Sequence, residues 1–259
     1  MNAKAGCQRG NTILPDGWQV SNLAEIADSI GGGTPPKSDP SYWSGGTIPW
    51  ISPKDMKVYT ITTSEDSITP KALDRLSLVP ANSVLAVVRS GILSRTLPVS
   101  INTIPVTINQ DMRAISPRVG ISAAFLAYQL IANEREILAS CSKHGTTVAS
   151  IEGPALARFP IWIAPTAEQT RIVAKLEELL SDLDAGVAEL KAAQRKLQQY
   201  RQSLLKAAVE GTLTAAWRKQ NPPQESGAEL LARILVERRA RWEAKQLARF
   251  AEQGKAPPK

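Results

Sequence analysis

Histidine and cysteine are nearly absent from this 259-residue chain: His144 is the one histidine, and Cys7 and Cys141 are the two cysteines. Three soft ligands cannot complete a four-coordinate nitrogen and sulfur zinc site within one copy. Any Ser-His-Asp or Cys-His mechanism would have to run through His144. Two cysteines are also too few for the disulfide framework of a small secreted scaffold. No window approaches the ~18 uninterrupted apolar residues that a membrane-spanning helix needs, and Met1 to Thr12 has no apolar segment of signal-peptide type. The chain reads as cytoplasmic, with no membrane partner.

Other fractions are ordinary. Hydrophobic residues make up 43% and charged residues 21%, which excludes global disorder. The length allows one medium domain with an appendage, or two small domains. The net charge is +7, which suits a polyanionic partner. Residues 1–166 carry 14 Lys and Arg against 12 Asp and Glu, and residues 167–259 carry 17 against 12. Neither part is a polybasic tail, so a basic face must come from folding.

Composition changes near Pro165. Before it, Gly and Pro recur every few residues and the apolar runs are short. Ser83 to Arg89, Val99 to Ile108 and Phe159 to Ile163 read as buried strands bounded by turn residues. Ser122 to Leu138 has helical spacing, with Ser122 as the N-cap. After Pro165 the texture is helical. Leu176, Leu183, Leu190, Leu197 and Leu204 recur every seven residues between Ala167 and Glu210, and Gly211 is a natural stop. A helix of roughly 65 Å outruns any small domain core and needs a second helix beside it. After a linker at Arg218 to Gly227, a second helix is expected over about Ala228 to Phe250, folded back on the first. The tail from Gly254 should be disordered. The chain is thus expected to be α+β: a mixed domain over 1–165, a long heptad helix over 166–211, and a linker, second helix and tail over 212–259.

Two apparent enzyme motifs fail on physical grounds. Gly31-Gly32-Gly33-Thr34-Pro35-Pro36-Lys37-Ser38 suggests a phosphate loop, but Pro36 stands where a glycine N–H must face the phosphate. Asn221-Pro222-Pro223-Gln224 lacks the stacking aromatic of an adenine methyltransferase and has no strand or Gly-rich turn before it. His144, in the polar stretch Ser142 to Thr147, reads as a surface hydrogen-bonding residue unless a positioned acid and nucleophile accompany it. The cluster Tyr42-Trp43 with Ile48 to Asp55 is either a recognition loop or core tryptophans in a proline-rich bend. Arg89-Ser90-Gly91 sets a guanidinium at a strand end, to read guanine, clamp phosphate or form a surface salt bridge.

Taken in order, the segments resemble the specificity subunit of type I restriction–modification systems. The matching stretches are Leu14-Pro15-Asp16-Gly17-Trp18, Gly33-Thr34-Pro35, Ile48 to Ser52, Val84-Leu85 with Arg89-Ser90-Gly91, and Ile108-Asn109-Gln110-Asp111-Met112. They continue with Gly145-Thr146-Thr147-Val148, Phe159-Pro160-Ile161, Ala167-Glu168-Gln169 with Arg171-Ile172-Val173, Leu204 to Ala208 and Gly211 to Thr214. Each is weak alone, and their order and spacing carry the likeness.

The resemblance implies a target recognition domain, a helical spacer and no catalysis by this chain. The expected partners are double-stranded DNA, methyltransferase subunits, restriction subunits, and a second copy or a second half-subunit. S-adenosylmethionine and ATP are expected on the partner subunits, with no cofactor or metal here. Family members carry two recognition domains and two spacers where this chain has one of each, so it is expected to be a natural half-subunit or the N-terminal half of a longer one. An unpaired leucine seam should drive an antiparallel homodimer that reads a gapped palindrome. Backbone contacts are expected from Lys37, Lys54, Arg95 and Lys143, and base-edge contacts from Arg89, Ser90, Asn109 and Gln110. Structural duty is the alternative for Asn109 and Gln110. The competing functions are an enzyme in its own right, and a coiled-coil adaptor or decoy that occupies methyltransferase subunits without reading DNA.

Overall fold

The computed structural model describes residues 14–143 and 148–254. His144, Cys7, residues 255–259 of the tail and most of the Gly145-Thr146-Thr147-Val148 stretch lie outside them. The chain divides into two units, Met1–Asp182 and Leu183–Lys259.

The first unit is built on a five-stranded sheet centred on a short apolar run. Strand β6 (Ser83–Val87) is buried at every position. It pairs antiparallel with β7 (Val99–Asn102) on one side and β9 (Met112–Pro117) on the other, placing Leu85 between Ser100 and Ala114. Strand β2 (Ala27–Gly31) closes one edge beside β9, and β4 (Thr60–Ile61) closes the other beside β7. A strand covered on both faces reads as a continuous apolar run, which is why Ser83 to Arg89 was legible.

The run Val99 to Ile108 is not one strand. It splits into β7 and β8 (Thr107–Ile108), which belong to different sheets. The break is made by Asn102, whose buried amide donates to the carbonyls of Pro80 and Ile104 and accepts from Ser83 N–H. Pro105 follows and has no N–H for a ladder. Strand β8 then joins β3 (Ile48–Ile51) in parallel, with β5 (Asp66–Ile68) on the other side of β3. Ile51, Leu85, Ile108 and Met112 pack together in one core cluster.

On its other side the five-stranded sheet carries α2 (Ala123–Ala132) and α3 (Glu134–Ser140), divided at Asn133. Ser122 caps α2, as its position before the apolar run indicates, by accepting from Phe125 N–H. A two-stranded ribbon pairs β1 (Gln19–Asn22) with β10 (Pro160–Ile163). Between β1 and β2 lies the single-turn helix α1 (Leu23–Ile26), and before β10 lies α4 (Gly153–Ala157).

The long helix α5 (Thr166–Val209) has 44 residues and begins directly after Pro165. Its first turn is seated by Gln169, 1% exposed. That amide accepts from Ser122 N–H at 2.8 Å and donates to the carbonyls of Gly120 and Ala164 at 3.1 and 2.9 Å. Trp18 Nε1 donates to Glu168 at 3.1 Å. The fold is α+β with a long helix and a second C-terminal helix.

In the second unit, α5 ends at Val209, and Gly211 follows in the left-handed region, φ 75°. The expected linker is partly helical, as α6 (Ala215–Gln220). Helix α7 (Gly227–Glu252) opens on a capping box between Ser226 and Glu229. No described residue from Leu183 onward is buried. Leu231, Leu235 and Trp242 of α7 stand exposed, as do Leu183, Leu190 and Leu197 of α5. Among the described residues, nothing buries the stripe of α7 or that of α5 from Leu183 onward, so the expected fold-back of α7 is not made.

Candidate nucleic-acid interface

Several strand ends meet at one place. Strands β3 and β8 run parallel, and Asn109 N–H, just past β8, donates to the Ile51 carbonyl at the end of β3. Just past β6, the Val88 and Arg89 N–H groups both donate to the Asp111 carbonyl, at 2.8 and 3.1 Å. Ser90 N–H donates to the Ala149 carbonyl, and Lys143 N–H to that of Ser150. Arg89 and Ser150 form an antiparallel bridge. The backbone thus gathers the loops bearing Arg89, Ser90, Gln110 and Lys143 at one edge of the sheets.

The glycine run packs directly against the end of β8. Gly33 N–H donates to the Ile108 carbonyl at 2.9 Å. A Cβ on Gly32 would lie 2.1 Å from that same oxygen, so only glycine allows the approach. Thr34 then donates its hydroxyl to Gln110 Oε1. Trp50, 4% exposed, donates to the Gly33 carbonyl and meets Trp43 edge-on, with ring centroids 5.3 Å apart. Of the two readings of the aromatic cluster, Trp50 and Tyr42 take the core one.

The predicted contact residues divide by environment. Lys37, Arg95, Gln110 and Lys143 are exposed. None of Lys37, Arg95 and Lys143 forms an ion pair with a described residue. Ser90 caps the short turn Gly91–Ser94 by accepting from Ile92 N–H, which leaves its hydroxyl hydrogen available. Lys54 lies between Asp66 and Glu65, at 2.9 and 3.0 Å. These carboxylates, Asp66 first, push its ammonium pKa well above the usual lysine range. A phosphate at Lys54 would have to displace them.

Arg89 and Asn109 meet at Asp111. Arg89 Nε lies 3.1 Å from Asp111 Oδ1, with the arginine side chain 60% exposed and the aspartate 24%. Asn109, 6% exposed, accepts from Asp111 N–H at 3.0 Å through its own Oδ1. That is an Asx turn, and it leaves no edge of Asn109 turned to solvent. Of the two readings of Asn109, its burial and this turn favour structural duty over a base-edge contact.

The match to known proteins is consistent along the chain. Residues 15–192 match the family described as type I restriction modification DNA specificity domain. The chain belongs to that family. Among specificity-domain relatives, the Escherichia coli type I restriction enzyme EcoR124I/EcoR124II specificity subunit is 39% identical over 193 residues, 72% of this chain and 47% of that subunit. The MjaIX specificity subunit of Methanocaldococcus jannaschii is 32% identical over 168 residues, 63% and 38% of the two chains. The HsdS subunit from Thermoanaerobacter tengcongensis superposes with a TM-score of 0.54 at 25% identity, covering 77% of this chain and 46% of that one. A chain from a type I R-M complex structure superposes at 0.62 with 24% identity. The chain spans about half the length of these relatives.

Within the specificity-domain fold, three side chains have roles that their motifs alone do not reveal, two at the site and Gln169 at the start of α5. Thr34 orients Gln110, Asp111 holds Arg89, and Gln169 seats α5. The Asn109-Gln110-Asp111 spacing does carry a signal, since an Asn two residues before a paired backbone N–H forms an Asx turn. Among the described residues, no cluster of three or more His, Cys, Asp or Glu side chains is arranged to hold a metal. No helix among them is long and apolar enough to cross a membrane.

Proposed function

We propose that this chain is a non-catalytic DNA-specificity subunit of a type I restriction–modification complex, reading one half of a gapped, bipartite target. Its recognition domain is residues 1–165, its spacer is 166–211, and 212–259 carries a linker, the second helix and the tail. The observation that carries the reading is the gathering of Arg89, Ser90, Gln110 and Lys143 at one edge of the family's fold. Lys37, Arg95 and Lys143 contact phosphates and set register, with Lys54 joining them once it leaves Asp66 and Glu65. Arg89, Ser90 and Gln110 face base edges. Methyltransferase subunits bring S-adenosylmethionine, restriction subunits bring ATP-driven cleavage, and the assembly works in the cytoplasm.

The second half of the target is read by a second copy. Leu176, Leu183, Leu190, Leu197 and Leu204 are spaced symmetrically about Leu190. An antiparallel pair therefore sets 176 against 204, 183 against 197, and 190 against itself. Leu183, Leu190 and Leu197 are 61%, 73% and 68% exposed, a seam that pairing would bury. Two-fold symmetry implies a palindromic, gapped site.

The test is a methylation map. The chain is expressed with its methyltransferase subunit in a methylation-free host, and N6-methyladenine is located across the genome. A palindromic gapped motif is expected. A soluble complex that methylates no motif overturns the reading, in favour of a decoy or of a chain that needs a different second half.

A further inference from the structure

We infer that Asp111 is a positioning residue that holds the Arg89 guanidinium for end-on reading of a guanine edge. The inference rests on the DNA-reading proposal above and goes beyond it by assigning a residue and an orientation. Arg89 sits just past β6, in the loop edge described, with Nε 3.1 Å from Asp111 Oδ1. A guanidinium has five N–H donors, and an ion pair on its Nε side leaves the four donors of its two terminal nitrogens free of any described partner. Those four form the fork that matches guanine O6 and N7.

The aspartate is itself fixed. Its N–H is taken by Asn109 Oδ1, and its carbonyl accepts from the Val88 and Arg89 N–H groups. The carboxylate is thus pinned to the same backbone that carries the arginine it holds. Asp111 Oδ2 accepts from Asn109 Nδ2 at 3.4 Å, while the buried Oδ1 accepts no hydrogen bond and faces Arg89 as its counter-charge. A pair made only for stability would bury that oxygen with aligned donors. Here the arginine remains 60% exposed with its terminal nitrogens unpaired by any described residue. Holding the side chain by Nε also lowers the rotamer entropy lost on binding.

The test repeats the methylation map and measures binding with the chain in its methyltransferase complex. The variants are Arg89→Ala, Asp111→Asn, Asp111→Glu and the double variant R89A/D111N. Arg89→Ala is expected to make one G·C position per half-site degenerate and to lower the preference for that base pair about 10-fold or more. Asp111→Asn, which is isosteric, relaxes the same position and no other. The double variant discriminates no worse than Arg89→Ala alone. Asp111→Glu keeps the charge but shifts it by one methylene, and it relaxes the same position even if Asp111→Asn fails to fold. The inference is overturned if the aspartate variants leave the motif intact or weaken cognate and random DNA equally. It is also overturned if Arg89→Ala weakens all sequences alike, as a phosphate contact would. Absence of any motif with the unaltered chain overturns the DNA-reading proposal as well, which separates the two failures.

Discussion

Replacing Gln169 by leucine keeps the volume of the side chain and removes its polar end. In the native structure the Gln169 amide satisfies Ser122 N–H and the carbonyls of Gly120 and Ala164. Gly120 keeps a second donor, the Thr166 hydroxyl at 3.2 Å. Ser122 N–H and the Ala164 carbonyl lose the partners that Gln169 gave them. Stranding a buried polar group costs about 1–3 kcal/mol, so two stranded groups cost about 4 kcal/mol together. For a unit of this size that corresponds to a melting shift of roughly 10 °C. Near-ultraviolet circular dichroism is the appropriate probe, because Trp18 and Trp162 pack edge-on within the first unit, whereas Trp217 and Trp242 are exposed. Gln169→Glu offers no better outcome, since its carboxylate accepts from Ser122 N–H but repels the two carbonyls. A shift below about 2 °C for Gln169→Leu would refute the argument that this amide seats α5.

Three further outcomes follow from the geometry. Substituting Leu183, Leu190 and Leu197 together with glutamate should give a monomer in light scattering without lowering the melting of the first unit; an unchanged dimer mass would remove the seam from the account. Arg89→Ala should reduce discrimination between cognate and random DNA, whereas Lys54→Ala should weaken binding to both and flatten the slope of log K against log salt by about one; equal losses for Arg89→Ala on both DNAs would contradict its assignment. Gly32→Ala drives a methyl group into the Ile108 carbonyl and should destabilise the first unit by about 3 kcal/mol or more in urea unfolding; native stability would show that this approach is not tight.

The legible parts of the fold are those where local pattern and tertiary environment agree. Ser83 to Val87 is apolar because both faces of β6 are covered, and the Ser122 cap lies where its side chain says it should. The long helix was legible from the absence of proline and the seven-residue leucine column. The split of Val99 to Ile108 was not, because its cause is the contact of the Asn102 amide with Pro80 and Ser83, far away in sequence. The same holds at the site. Arg89 was visible as a cation at a strand end, but its tie to Asp111 is made by a turn that only the folded chain closes. Burial decides between the two readings of Asn109 in favour of structural duty, which the Asn-Gln-Asp spacing allowed but did not require. The fold-back of α7 was inferred from amphipathicity, and an apolar stripe does not say which surface covers it.

The most direct test of the central claim is a ratio of affinities. The chain, bound to its methyltransferase subunit, is titrated at one fixed salt concentration with the mapped gapped duplex and with a scrambled duplex of equal length and composition. A specificity subunit should favour the mapped duplex by about 1,000-fold or more. Equal affinity for the two duplexes would contradict the claim that this chain reads sequence.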